Sequence, residues 1–500
     1  MMENPKLQKL YEDWLIEATI DDMQEKMGSG QLSAKELTLL YLKRMAEVDK
    51  NGPEINSVLE INPDALQIAE SLDAERAVTG PRGPLHGIPV LVKDNIDTGD
   101  KMHTSAGSLA LANSTASEDS FVAAQLRKAG AVILGKTNMT EWANFMTENM
   151  PNGYSSRGGQ VLNPYSPGKF DVGGSSSGSG ASIAANLAAA AIGTETSGSI
   201  LSPASQNSLV GIKPTVGLVS RTGIIPIAHT QDTAGPMART VKDAVYLLSA
   251  ITGEDSSDPA SGKNTYFLGT DFSQFLKIDG LSGKRIGIAR DVYFEYINEE
   301  KQEVLNSAIA KLKEAGAEVV ENVVIPSTKQ EWGYDVLTHE FKTDLNEYLS
   351  KLSNRCAVHS LADVIAFNNR HSKKALQYGQ TLLVESEKTS GTLTEGRYIQ
   401  ALEHDQYYST IMGIDSVLET EQLDAIVFPN NIGAGIPAKA GYPSITVPAG
   451  YTAEGEPVGI TFTGIAFSEP VLINIAYGYE QTSLARRAPK LGVEQTLVEK

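Results

Sequence analysis

The run GGSSSGSGASIAANLAAAAIGTETSGSI, Gly173 to Ile200, joins a glycine and serine tract without a break to a small-residue apolar segment and then to a second serine turn. A flexible linker has no such apolar partner. Glycine opens backbone angles closed to other residues and lets a chain approach a ligand closely, while Ala181 to Ile192 reads as a helix packed tightly in a core. The serines on either side are therefore expected to be held rigidly. That is what a hydroxyl nucleophile and its proton relay require.

Upstream of this run, Leu32 to Val48 has helical apolar spacing behind a Ser33 cap, and Pro63 to Ala77 continues as a second helix. Gly87 to Asp94 (GIPVLVKD) and Ala131 to Gly135 (AVILG) read as short buried strands, with Asp119 to Ala129 as the helix leading into the second. Downstream, Thr252 to Gly283 is rich in Gly, Ser, Asp and Lys and reads as an exposed loop or an excursion from the core. Arg285 to Pro326 gives strand, helix, strand. Ser327 to Glu421 is almost wholly helical and carries no chemical motif, which assigns it to covering a site and shaping substrate choice. Asp424 to Pro429 and Ser444 to Ala449 return to strand patterning, and Phe467 to Gln481 closes the pattern with an amphipathic helix. Such alternation is that of a mixed α/β sheet.

The 500 residues are 41% hydrophobic and 21% charged, the composition of an ordinary globular protein. A net charge of −19 argues against nucleic acid or an anionic membrane as partner, because both would repel it. The first residues lack the uninterrupted apolar stretch of a secretory signal, and no run reaches the roughly 20 apolar residues of a membrane span. Cys356 is the only cysteine, which excludes an intrachain disulfide and thiolate metal clusters. A cytoplasmic location is the expectation.

Several motifs match in form and fail in context. Gly130 to Thr137 (GAVILGKT) fits a phosphate-binding P-loop, but its four inner positions are apolar and belong inside a sheet. Gly174 to Gly178 (GSSSG) fits a nucleophile elbow centred on Ser176, yet no convincing strand precedes it, and the histidines His229, His339, His359, His371 and His404 read as surface or satisfied core residues. In Ser166 to Lys169 (SPGK), Pro167 and Gly168 would break the helix a Ser–Lys pair needs. Metal catalysis finds no H-E-x-x-H and no histidine pair at helical spacing. Asp94 to Asp100 (DNIDTGD) lacks calcium-loop spacing and reads as a solvated loop.

What remains is Lys93 at the end of a buried strand, the serines of Gly173 to Ser179, and Ser199 in TETSGSI. Desolvation disfavours a charged lysine, so Lys93 can act as a base. The backbone N–H groups of Thr196, Ser197, Gly198 and Ser199 lie in a glycine-containing turn suited to an oxyanion.

At these residues the chain resembles the amidase signature family, the Ser-cisSer-Lys amidohydrolases. The matching strings are HGIPVLVKDNID (His86 to Asp97), AVILGKTNMTEWA (Ala131 to Ala143), GGSSSGSG (Gly173 to Gly180) and GTETSGSI (Gly193 to Ile200). VGIKPTVGLVS (Val210 to Ser220), DTAGPMART (Asp232 to Thr240) and AGYPSITVPAG (Ala440 to Gly450) follow in family order. Within the family, Thr215 to Met237 is most similar to bacterial peptide amidases.

The resemblance implies a single compact α/β domain over residues 1–500: a mixed β-sheet core covered by helices, a catalytic core at 70–250 and a helical excursion at 327–421. It implies Lys93 as the catalytic lysine, Ser175 as the serine after a cis peptide bond, and Ser199 as the nucleophile. The implied reaction is cofactor-free hydrolysis of carboxylic amides, of peptides or amino acids, through a serine acyl-enzyme in a monomer or homo-oligomer. The alternatives are a catalytically silent scaffold and the ammonia-supplying component of an amidotransferase. The chain departs from many members in having Glu195 for Asp and Leu201 for Arg. The missing arginine removes an anchor for carboxylate substrates, so neutral acyl groups of some length are expected.

Overall fold

The computed structural model describes residues 4–491. In chain order its strands are β1 (Val58–Ile61), β2 (Pro89–Lys93), β3 (Val132–Thr137), β4 (Tyr154–Ser155), β5 (Gly159–Gln160), β6 (Ala190–Glu195), β7 (Val210–Lys213), β8 (Thr233–Ala238), β9 (Arg285–Ile288), β10 (Glu318–Val320), β11 (Ala425–Pro429), β12 (Ser444–Tyr451) and β13 (Pro457–Thr463). Apart from the β4–β5 hairpin they form one 11-stranded sheet in the order β1-β3-β2-β6-β8-β7-β12-β13-β11-β9-β10. The sheet is mixed. β3, β2 and β6 run parallel, as do β11, β9 and β10, whereas β6–β8–β7–β12–β13–β11 is antiparallel throughout.

Every residue of β2, β3, β6, β7 and β8 is buried, as expected of central strands covered by helices on both faces. That burial explains GAVILGKT: Val132–Thr137 is a strand, and Lys136 is a buried side chain donating to Ile96 O (2.7 Å) and Thr104 Oγ1 (2.9 Å). Because β2 and β6 are parallel neighbours, their carboxyl ends, Lys93 and Glu195, emerge on the same side, where open α/β sheets place ligands.

Two expectations need correction. Ala181 to Ile192 is not one helix. A helix covers Ser177–Ala184, Asn186 takes a left-handed conformation (φ 59°), and β6 starts at Ala190. An alanine-rich stretch has no periodicity with which to separate a buried helix from a buried strand. Nor is DNIDTGD solvated at its start: Asp94 to Thr98 are buried, with Asp94 accepting from Gly107 N–H (3.0 Å) and paired with Arg157 (3.3 Å).

The segment after Ser327 is helical as read, with helices Asp335–Ser350, Leu361–Arg370, Thr381–Glu387, Gly396–Ser409 and Asp415–Thr420. It builds its own apolar cluster, separate from the main core, in which Leu337, Phe341, Leu345 and Leu349 join Trp142, Phe145 and Met146. The Phe145 and Phe341 rings lie 5.1 Å apart. Each such side chain contributes about 1.5–3 kcal/mol on burial, which fastens the segment over the edge where β2 and β6 end. Among the described residues no helix is long and apolar enough to cross a membrane.

Candidate active site

Lys93 closes β2 with its side chain fully buried. Its Nζ donates to Ser175 Oγ (2.8 Å), Thr194 Oγ1 (2.9 Å) and, more weakly, Thr194 O (3.3 Å). Burial pulls the lysine down to about 7 from its usual 10.5, against the opposing charges of Glu195 and Asp232. A lysine so placed is half neutral near pH 7, the condition for a base.

Ser175 follows a cis peptide bond from Gly174. It is fully buried, and its carbonyl accepts from Thr140 N–H (3.1 Å). The next helix starts at Ser177, where Gly178 sits so close to Asn138 O and Ser57 O that a Cβ would meet them at 2.3 and 2.4 Å. Only glycine fits there, which draws the helix start onto the loop behind it. Ser176 N–H donates to Ser199 O (3.2 Å), tying the two serine turns together. Ser176 Oγ exchanges hydrogen bonds with Thr194 O (3.0 Å) and Thr194 N–H (3.2 Å), so it stitches the helix start to β6 and is not free as an elbow nucleophile.

Ser199 lies just beyond β6, 8% exposed, in a turn whose Gly198 has φ +84°. Glu195 organises that turn: its buried carboxylate accepts from Gly198 N–H (2.7 Å), Ile200 N–H (2.7 Å) and Leu201 N–H (3.0 Å). One sequence assignment changes as a result. The Gly198 N–H is already donated to Glu195, so of the four proposed oxyanion donors it is the one withdrawn. Thr196, Ser197 and Ser199 remain. The longer glutamate in place of the commoner aspartate spans three N–H groups across the turn.

Thr196 Oγ1 donates to Asp232 Oδ1 (2.5 Å), and Asp232 Oδ2 accepts from Ile227 and Ala228 N–H (2.8 and 2.9 Å). Burial lifts Asp232 to about 6 despite these donors. Beside Thr194, Glu195 and Thr196 opens a cavity of about 670 Å³, walled on its far side by Asp344, Tyr348 and Leu352 of the helical segment and its following turn. Lys93, Ser175 and Ser199 are not among its lining residues, and Lys93 is linked to it through Thr194 Oγ1.

Thr194 and Asp232 carry these contacts, and Asn95 joins them by donating its Nδ2 to Thr194 Oγ1 (3.0 Å); none of the three was singled out in the sequence. The available signal was Thr194 and Thr196 on either side of Glu195, since alternate strand residues share a face. His229, read as unremarkable, stands at the cavity with Nδ1 2.9 Å from Asp344 and Nε2 3.5 Å from Glu340. Burial lowers its affinity for a proton, but the Asp344 bond and the Glu340 charge outweigh this and raise its pKa. Ligand atoms of His229, Glu340 and Asp344 lie within 4.8 Å of one another, close enough to hold a cation, though they already satisfy each other.

The amidase family model matches residues 36–473. A probable amidase of Arabidopsis thaliana is 44% identical over 485 residues, covering 95% of this chain and 91% of that protein. The crystal structure of the peptide amidase from Stenotrophomonas maltophilia superposes with a TM-score of 0.91 at 46% identity, covering 96% of this chain and 99% of that one. A glutamyl-tRNA(Gln) amidotransferase component of Alkalilimnicola ehrlichii is 32% identical, covering 95% of this chain and 99% of that protein. With a family model over most of its length and relatives matched nearly end to end, the chain belongs to the amidase signature family and is an amidase.

Proposed function

We propose that the protein hydrolyses carboxylic amides, carboxyl-terminal peptide amides or amino-acid amides, to acid and ammonia through an acyl-enzyme on Ser199. The observation that carries this reading is the 2.8 Å contact from a buried Lys93 to Ser175, one residue from the serine whose backbone is tied to Ser199. Neutral Lys93 takes a proton from Ser175 as Ser175 takes one from Ser199, whose Oγ attacks the amide carbonyl. The oxyanion is met by the N–H groups of Thr196, Ser197 and Ser199. Protonated Lys93 returns a proton through Ser175 to the departing nitrogen, and ammonia leaves. Water then enters, the relay deprotonates it, and attack on the ester releases the acid and regenerates Ser199.

The helical segment supports an extended acyl site, because its residues Asp344, Glu347, Tyr348, Lys351, Leu352 and Ser353 wall the cavity. The likeness to a peptide amidase, at higher identity than to the amidotransferase component, favours free-standing amide hydrolysis over ammonia supply to a partner. The test is a panel of a peptide amide, its free acid, an internally cleavable analogue, glutamine and acetamide, assayed for ammonia and for new amino termini. Ammonia from the peptide amide alone is expected. New amino termini appearing at the same rate would refute restriction to the terminal amide, and activity confined to glutamine or acetamide would refute the extended acyl site.

A further inference from the structure

The cavity is strongly acidic: eight carboxylates line it, against Arg221, Lys351 and His229. Each of these basic groups is already matched within the protein. Arg221 bonds Asp258 through Nε (2.8 Å) and Nη2 (2.6 Å), Lys351 reaches Glu347 (2.8 Å), and His229 bonds Asp344. Asp232, in contrast, has a hydroxyl and two backbone N–H groups as hydrogen-bond partners, and the charges of Arg221 and Lys93 act on it without a hydrogen bond.

Carboxylates alone name no ligand, but a second feature of the same wall does. Asn95 lines the cavity, is 2% exposed, and its Oδ1 has no hydrogen-bond partner among the described residues. A buried acceptor without a donor is unfavourable until something supplies one. Its amide nitrogen is anchored on Thr194 Oγ1 (3.0 Å), the hydroxyl that also receives Lys93 Nζ. Asn95 follows β2 and Asp232 precedes β8, and these strands flank β6 on its two sides. Acceptor and carboxylate therefore stand on either side of the strand end that leads into the Ser199 turn.

We propose that this end of the cavity receives a protonated α-amine, with Asn95 Oδ1 and Asp232 accepting its N–H donors, so that α-amino acid amides with a free ammonium group are the preferred substrates. The inference rests on the amide-hydrolysis reading and adds the charge of the acyl part, where Leu201 alone pointed to neutral groups. An ammonium offers several donors, enough for both acceptors, and its charge answers Asp232. Because Asn95 shares Thr194 with the base, the amine it meets is close to the attacked carbonyl, which selects an α-amine over one on a distant side chain.

The experiment compares kcat/KM at pH 7 for leucinamide and its 2-hydroxy analogue, which has the same shape without the charge, using ammonia release by the full chain. Leucinamide is expected to be preferred by about tenfold or more, the effect of one charge-assisted hydrogen bond. A preference above about threefold supports the proposal, and one of about threefold or less overturns it. In Asp232→Asn the preference should fall to about threefold or less, whatever the absolute rate, and a preserved preference overturns the role of Asp232. If that variant does not fold, the wild-type ratio decides. N-acetylleucinamide separates the two levels of the argument: its hydrolysis with neither amine nor hydroxy compound turned over overturns this inference alone, and no ammonia from any of the three overturns the amide reading with it.

Discussion

Glu195→Gln perturbs the turn that presents Ser199 while changing almost no volume. The carboxylate holds three backbone N–H groups, Gly198 on one oxygen and Ile200 and Leu201 on the other. A glutamine keeps one oxygen. Its best orientation retains Ile200 and Leu201 and sets its NH₂ against the Gly198 N–H, donor facing donor. One charge-assisted bond is lost, worth roughly 1.5–3 kcal/mol, and the two retained bonds weaken from charged to neutral acceptors. A destabilisation of about 2–4 kcal/mol follows, read as a lower midpoint in urea unfolding. The kinetic signature has a sign of its own. Glu195 holds the Lys93 pKa upward, so removing its charge lets Lys93 deprotonate below about 7, and the acid limb of kcat moves to lower pH even as its plateau falls. An unfolding free energy within about 0.5 kcal/mol of wild type together with an unmoved pH profile would refute the role assigned to Glu195.

Lys93→Ala should lose about 10²–10⁴-fold in kcat at neutral pH, the usual size of general-base catalysis, and should lose the limb near pH 7; a retained limb would exclude Lys93 as its source. Lys93→Met should raise the unfolding midpoint while abolishing turnover. With a folded pKa of about 7 against 10.5 unfolded, the cost of burying the lysine is complete below pH 7 and fades toward 10.5, so the gain should shrink over that window, and a gain independent of pH would contradict it. Prolonged dialysis against EDTA should leave kcat unchanged, since His229, Glu340 and Asp344 satisfy one another; lost activity restored by a divalent ion would assign that cluster a metal.

The residues proposed for the relay were more legible in the sequence than the local backbone that positions them. Lys93, Ser175 and Ser199 stand in motifs that suggest one reaction, and the structure places Lys93 on Ser175 and ties Ser176 to Ser199. The break inside Ala181 to Ile192 was hidden because alanine suits a helix and a buried strand alike; Asn186, a residue that tolerates left-handed angles, was the overlooked mark of it. β8 (TAGPMA) and β7 (VGIK) went unread for a related reason: proline and glycine argue against strands, yet here tight packing of central strands selects small residues. The burial of Asp94 to Thr98 was illegible because a string of acids looks solvated until the partners, Arg157 and Gly107, arrive from elsewhere in the chain. The withdrawal of the Gly198 N–H likewise depends on a glutamate reaching forward across a turn, a contact that spacing alone does not fix.

The most direct test of the account is to identify the nucleophile. The protein is treated with a serine-directed sulfonyl fluoride until ammonia release stops, then digested and mapped by mass spectrometry, with Ser199→Ala as the control. The account predicts one adduct per chain on Ser199, formed faster as pH rises through about 7 with Lys93, and none in the variant. An adduct on Ser176, or full inactivation of Ser199→Ala by the same reagent, would contradict it.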